Sequence, residues 1–425
     1  MSFCRFTYPA LVLLWLGVAC GHNSAGPVAA QLGSSVGGAA SSDTGRPLLA
    51  SDSGVDGGPD AASLSLDASK TVVDDLSARA ERIREKYKLP SLAVAVFRSS
   101  GMMAVGAAGV RKVGDATPVT TQDKWHLGSN TKAMTATLIA RLVDQHKVRW
   151  GTTLAEAYPK LALHPGYQAV TLEQLLAHRG GVPGSPAGMT TALFKNWSES
   201  QAPRAAAVSK VLAEPPFSTN RSWTYSNAGY MASVSWLETA EDPWEKQIAR
   251  EVFEPLGMSE CGFAMPATVG LIDQPWGHET PAVAGGSYEP VPQGKYADNP
   301  RGMGPSGRVH CTLASWGKFL SANLGAGRGD TRYLSAASFK QLSRAKPAVA
   351  GGDRDDYALG WSVVSRSWSN GDALVHNGSN KMNMSVAWVA PGIDRAFAAV
   401  SNAGSDDAAT AEDELIVELI GVYGK

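Results

Sequence analysis

Apolar residues change their period several times along the chain, and each change marks an element. Val72, Val73, Leu76, Ala80, Ile83 and Tyr87 recur at three- and four-residue steps. That spacing predicts an amphipathic helix over residues 71–88, ended by Pro90. LAVAVF (92–97) and MMAVGAAGV (102–110) follow, with Ser99, Ser100 and Gly101 between them, which is a hairpin signal. Near the other end ALVHNG (373–378), MSVAWVA (384–390) and RAFAAVS (395–401) read as strands, and a last helix is expected from Asp406 to Val422. Between these ends, from Asn130 to about Pro300, helical patterns and long loops dominate. The expected fold class is therefore α+β: an antiparallel sheet drawn from both chain ends, flanked by helices, with an inserted helical lobe.

The first residues follow a different logic. Arg5 precedes an apolar run from Ala10 to Ala19, too short to span a bilayer and suited to the core of an export signal. The run ends Gly17-Val18-Ala19-Cys20, which resembles a bacterial lipoprotein signal, with Cys20 the lipidated residue. Gly17 stands where that pattern usually has leucine, so simple cleavage after Ala19 is the alternative. Residues 21–70 are rich in Gly, Ala, Ser and Asp without an apolar period, the composition of a flexible tether. The expected organisation is a signal at 1–20, a tether at 21–70 and one domain at 71–425. An exported protein of the periplasm or cell envelope, anchored to the membrane by lipid, is the expectation. Gly33-Ser34-Ser35-Val36-Gly37 matches a G-x-S-x-G elbow, but no strand precedes it and no helix follows.

Charge narrows the partners. Lys plus Arg number 38 and Asp plus Glu 39, so no field draws the protein to nucleic acid. Of four cysteines only Cys261 and Cys311 lie in the folded part; they are either a disulfide or two buried thiols. Their spacing is not that of a zinc site and no H-E-x-x-H occurs, so neither metal nor cofactor is expected.

Candidate chemistry begins at Ser129-x-x-Lys132, where the serine opens a helix and the lysine lies on the same face one turn later. Ser315-x-x-Lys318 has the same spacing but sits inside a helical stretch, without the field of a helix start. A hydroxyl needs a base, and a buried lysine or a tyrosine near cations can supply one. Tyr225-Ser226-Asn227 is the candidate tyrosine motif. On a predicted strand, His376-Asn377-Gly378 can offer a side chain and a backbone N–H to a developing oxyanion.

In this order the three motifs resemble those of the penicillin-recognising serine hydrolases, in the branch of class C β-lactamases, D-aminopeptidases and carboxylesterases. LLAHRGGVPG (175–184), EPLGMSECGF (254–263), GPSGRVHCTLASWGKFL (304–320) and YALGW (357–361) are similar to family landmarks. The resemblance implies a β-lactamase/transpeptidase-like fold over residues 72–422 and an acyl-enzyme on Ser129. It implies proton transfer by Lys132 and Tyr225, with the base left open between them. It also implies that Asn227 orients Lys132 and substrate, and that the N–H groups of Ser129 and Ser379 hold the oxyanion.

The chain departs from the family in one place. Class C β-lactamases usually carry Lys-Thr-Gly where this chain has His376-Asn377-Gly378, and a histidine grips a carboxylate less firmly than a lysine. The expected substrate is thus a small-molecule or peptide acyl donor, an ester or a D-amino-acid amide. The alternatives are a penicillin-binding or β-lactamase-type protein and a non-hydrolytic cell-wall sensor. His178 is expected to be structural, and Trp125, Trp223 and Trp361, closest to the motifs, are expected as core or cleft-rim packing, with lining of an acyl groove the alternative.

Overall fold

The computed structural model describes residues 73–184, 202–239, 241–281, 286–294, 297–347 and 354–425. The export signal, Cys20, the tether and the Gly33–Gly37 match lie outside them. The strands are β1 Asp74–Asp75, β2 Ser91–Arg98, β3 Gly101–Gly109, β4 Lys124–His126, β5 Cys261–Phe263, β6 His278–Glu279, β7 Glu289–Pro290, β8 Val309–Thr312, β9 Ser362–Arg366, β10 Gly371–Ser379, β11 Met384–Ala390 and β12 Arg395–Ser401. Seven of them form one sheet in the order β1-β3-β2-β12-β11-β10-β9. Every pairing in it is antiparallel except the two-residue parallel edge of β1 on β3.

The principal helices are α1 Ser77–Lys86, α2 Thr131–Asp144, α3 Leu172–Leu176, α4 Ala202–Ala213, α5 Asn227–Ser235, α6 Trp244–Ile248, α7 Leu313–Gly327, α8 Ala336–Ser343 and α9 Asp406–Tyr423. Strand β2 is buried along almost its whole length, which explains its unbroken apolar run. Its Leu92, Val94 and Val96 face α1 and α9, where Ile83, Leu415 and Leu419 meet them. Ala93, Ala95 and Phe97 face the other way, toward α7 and the helical lobe. Gly317 lets α7 lie on that face: a Cβ there would fall 2.0 Å from the Phe97 ring.

The first helix is shorter than its apolar period predicts. Asp74 and Asp75 extend beside Ala104 and Val105, and the Leu76 N–H donates to the Val105 carbonyl at 3.0 Å. Gly106 makes room for this approach, since a Cβ would meet the Leu76 backbone at 2.3 Å. Pairing therefore wins over helix until Ser77. The middle of the chain is also less purely helical than its pattern, because β5, β6 and β7 lie within it.

Strands β4, β8 and β5 form a second sheet, with Cys261 directly opposite Cys311. The two are joined by a disulfide. It ties β5 to the strand that flanks the residues leading into α2. Peptide mapping without reductant is expected to recover the Cys261 and Cys311 peptides joined. The C261S/C311S variant should lose about 2–4 kcal/mol of stability, read by denaturant unfolding. Separate free-thiol peptides would refute the pairing.

A different cost sits in α9. Glu412 is 1% exposed, and neither carboxyl oxygen has a hydrogen-bond partner among the described residues. Burial pushes its pKa well above the usual carboxylate range. A raised folded pKa leaves stability intact below the unfolded value and drains it as pH rises toward the folded one, because only the unfolded chain ionises there. Glu412→Gln should therefore melt higher than the parent at pH 7, with the gap closing as pH falls toward the ordinary carboxylate range. Parallel melting curves across that range would show that Glu412 is not held neutral.

Candidate active site

The turn that carries Ser129 is built from both sides. Strand β4 delivers Trp125 and His126, and the Leu127 N–H donates to the Val309 carbonyl at 2.9 Å. Gly128 then takes φ +48°, and Gly128–Asn130 forms one 3-10 turn running into α2. Ser129 thus stands at the positive end of a fourteen-residue helix, where negative charge is favoured.

Strand β10 closes on this turn backbone to backbone. A Cβ on Gly128 would lie 2.4 Å from the Ser379 nitrogen. One on Gly378 would lie 2.0 Å from the Leu127 carbonyl and 2.9 Å from the Ser129 nitrogen. Only glycine at both positions permits this approach. Ser385, opposite Gly378 in β11, locks it: its hydroxyl donates to the Leu127 carbonyl and accepts from Asn130 Nδ2, both at 2.8 Å.

Lys132 reaches back under the turn. Its Nζ lies 3.1 Å from Ser129 Oγ and donates to Asn227 Oδ1 at 2.8 Å and the Ser306 carbonyl at 2.7 Å. It sits 4.6 Å above the Tyr225 ring and 5.5 Å above that of Tyr230. The side chain is fully buried, and that burial drives its pKa well below the usual lysine range. The Tyr225 hydroxyl donates to Ser129 Oγ at 2.7 Å. Burial also pushes the Tyr225 pKa up, against the opposing effects of Ser129 and Arg354, so the group is a phenol at neutral pH.

The segment carrying Tyr225 and Asn227 is fixed from below. Ser226 caps α5, accepting from the Gly229 N–H at 2.8 Å, while its own N–H donates to His178 Nδ1 at 3.0 Å. His178 is buried among Tyr225, Tyr230, Tyr357 and Trp223, with ring centroids 4.5, 5.2, 4.8 and 5.8 Å away. Burial holds it neutral, and its contacts are those of a support.

His376 is buried as well. Its Nδ1 donates to the Asn377 carbonyl at 2.6 Å, because a carbonyl only accepts, and Nε2 therefore accepts from the Tyr357 hydroxyl at 3.1 Å. Burial is the main cause that lowers its pKa to about 3. This ring is not a cation in the physiological range.

The structure thus gathers Ser129, Lys132, Tyr225, Asn227, His376, Gly378 and Ser379 at the meeting of α2, the α5 N-terminus and β10. Ser315 stands apart, 3% exposed with its hydroxyl accepting the Glu260 N–H, and Lys318 donates to the Gly257 carbonyl. Trp125 and Trp361 are each 1% exposed, packed in the core rather than on a groove; Trp223 is the partly exposed one. The Ser306 carbonyl, Ser385 and Tyr357 are additional members that motif spacing does not mark. Arg354 is another: its guanidinium lies 4.7 Å from the Trp223 ring centroid and pairs with Asp356. Among the described residues no group of His, Cys, Asp or Glu side chains could hold a metal ion.

The neutral ring makes a direct test. In NMR titration, His376 should keep its neutral tautomer from pH 8 down to pH 5, with a midpoint at about 3. A midpoint near the ordinary value of about 6.5 would place a switchable cation there.

A family model described as Beta-lactamase matches residues 76–420. The chain is 28% identical over 359 residues to penicillin-binding protein 4 of Amycolatopsis lactamdurans, covering 81% of this chain and 89% of that one. Among solved structures it is similar to the octameric penicillin-binding protein homologue from Pyrococcus abyssi, with TM-score 0.63, 21% identity and coverage of 80% and 75%. It is also similar to the D-amino acid amidase from Ochrobactrum anthropi SV3, with TM-score 0.62, 18% identity and coverage of 81% and 99%. Those two likenesses are of fold. The family match runs from just before α1 into α9 and takes in the whole site: the chain belongs to the beta-lactamase family, as a serine hydrolase.

Proposed function

We propose that Ser129 is the nucleophile of an acyl-transfer hydrolase acting on an ester or a D-amino-acid amide or peptide. The observation that carries this reading is the placing of one hydroxyl between a buried amine at 3.1 Å and a phenol at 2.7 Å. A neutral amine has two N–H groups and one lone pair. The N–H groups match Asn227 Oδ1 and the Ser306 carbonyl, which leaves the lone pair for the Ser129 hydroxyl proton. Lys132 is then the base, and its lowered pKa suits the task. Tyr225, a phenol that already donates to Oγ, passes a proton to the leaving group and recovers it from Lys132. The N–H groups of Ser129 and Ser379 hold the oxyanion, and Asn227 orients both Lys132 and a substrate amide. Water releases the acyl group by the same route in reverse.

The substrate class follows from His376. A neutral, doubly bonded ring offers no charge to a carboxylate, which supports an uncharged acyl donor over a β-lactam. The name of a penicillin-binding relative keeps acylation by penicillin as the second reading. The Cys261–Cys311 disulfide supports an oxidising compartment, in line with export and lipidation at Cys20. Among the described residues no helix is long and apolar enough to cross a membrane.

Intact mass over time, with a penicillin and separately with a short activated ester, tests the reading. A transient adduct with the ester, absent in Ser129→Ala, is expected, with turnover lowered at least 10³-fold in that variant. Full turnover by Ser129→Ala would overturn it. A long-lived penicillin adduct with no ester turnover would favour the penicillin-binding reading.

A further inference from the structure

His126 stands two residues before the nucleophile and touches none of the atoms assigned above to bond making. Its side chain is fully buried. The Gly128 N–H is buried too, and as an unpaired donor before a helix it needs an acceptor. His126 Nδ1 supplies one at 3.2 Å. An imidazole nitrogen accepts only when it carries no proton, so this bond places the ring proton on Nε2. That nitrogen lies 2.8 Å from Asp298 Oδ1, a close polar contact without hydrogen-bond alignment. Asp298 in turn accepts from Arg308 Nε at 2.8 Å and from the Asn299 N–H at 2.6 Å. The Asp298 pKa lies below the usual range despite burial, with the Arg308 guanidinium paired to it, so it stays ionised. Across the strand pair, His310 faces His126 and is itself neutral, its Nδ1 hydrogen-bonded to the Ala264 carbonyl and its pKa lowered by burial to about 4.

We infer that His126 is a positioning residue for acyl transfer: its Nδ1 lone pair fixes the Gly128 peptide, and Asp298 with Arg308 fixes the ring. The Gly128 peptide is the point on which both oxyanion donors depend. It precedes the Ser129 N–H directly, and its left-handed backbone lies against the Ser379 nitrogen. A few tenths of an ångström of rotation there moves the two donors apart, and such donors act only when preset to the oxyanion position. The inference rests on the reading of Ser129 as nucleophile. It gives a reason for a buried carboxylate, guanidinium and imidazole to be assembled behind a strand where apolar residues would be less costly.

The test follows phosphonylation of Ser129 by an alkyl fluorophosphonate. Oγ bonds to phosphorus, the P–F bond breaks, fluoride leaves and the Oγ proton passes to Lys132. His126→Leu, which has no acceptor, should slow labelling about 10- to 100-fold, with KM for the ester little changed. His126→Asn presents a carbonyl oxygen near the Nδ1 position and should recover much of the rate. Asp298→Asn can donate an amide N–H to Nε2, which moves the ring proton to Nδ1; it should slow labelling as His126→Leu does. The Asn and Leu variants at 126 compare acceptor with no acceptor, and if the Leu variant does not fold, Asp298→Asn against His126→Asn carries the same comparison. Wild-type labelling rates in His126→Leu and Asp298→Asn, or no recovery in His126→Asn, would overturn the inference. No labelling of Ser129 in the parent would instead overturn the nucleophile reading.

Discussion

A lysine amine taken fully out of water is the constraint around which this molecule is arranged. Desolvation of an ammonium costs several kcal/mol, and a protein accepts it only by pairing the charge or by letting the group go neutral. Among the described residues no carboxylate pairs with Lys132: its neighbours are a hydroxyl, an amide oxygen, a peptide carbonyl and two aromatic rings. That set suits a neutral amine. These neighbours come from three parts of the chain, so burying one side chain requires α2, the N-terminus of α5 and the Gly304–Gly307 turn to meet at one point. The Thr135 hydroxyl, one turn further along α2, donates to the Pro305 carbonyl at 2.7 Å and fixes the same turn from the side.

The second constraint is distance between backbones. Oxyanion donors are peptide N–H groups, and bringing two from separate segments to one point requires peptides to touch without side chains between them. Gly128 and Gly378 meet that need, and Ser385 holds the contact with two hydrogen bonds. Strand β10 supplies the rigid side of the contact, because it is paired along its length to β9 and β11. The other member, a short turn, is thereby held by the sheet and by the His126 ring.

The sequence carries much of this in advance, for identifiable reasons. The strands at both ends follow their apolar runs closely: β11 and β12 coincide with residues 384–390 and 395–401. Those segments are central, buried and undisturbed by function, so local pattern and global fold agree. The edge β1 and the three-stranded sheet of β4, β8 and β5 were not legible. They are two to four residues long and exist only because a distant partner is present. The disulfide was open for the same reason: cysteine spacing does not reveal that the two residues face each other across strands. In the site, motifs located the side chains but not their support. A backbone carbonyl such as that of Ser306 has no residue signature. Ser385 and Tyr357 mark themselves only through partners about 250 and 20 positions away in the chain.

Charge is where this site differs in character from its motif pattern. Lys132 is driven toward neutrality, Tyr225 stays a phenol and His376 is a neutral ring held by Tyr357. The nearby guanidinium of Arg354 is already matched by Asp356. A transition state forming here therefore meets oriented dipoles, namely two peptide N–H groups and the start of α2, rather than a free cation. Dipoles of that kind reward charge that develops at one atom and give little to charge the substrate already carries elsewhere. Under the proposed reading a carboxylate remote from the scissile bond gains little from such dipoles. The replacement of a lysine by His376 is thus not a local weakening of one contact. It is consistent with a site whose nearby guanidinium, that of Arg354, is already paired with Asp356, and this supports the proposed neutral esters and amides.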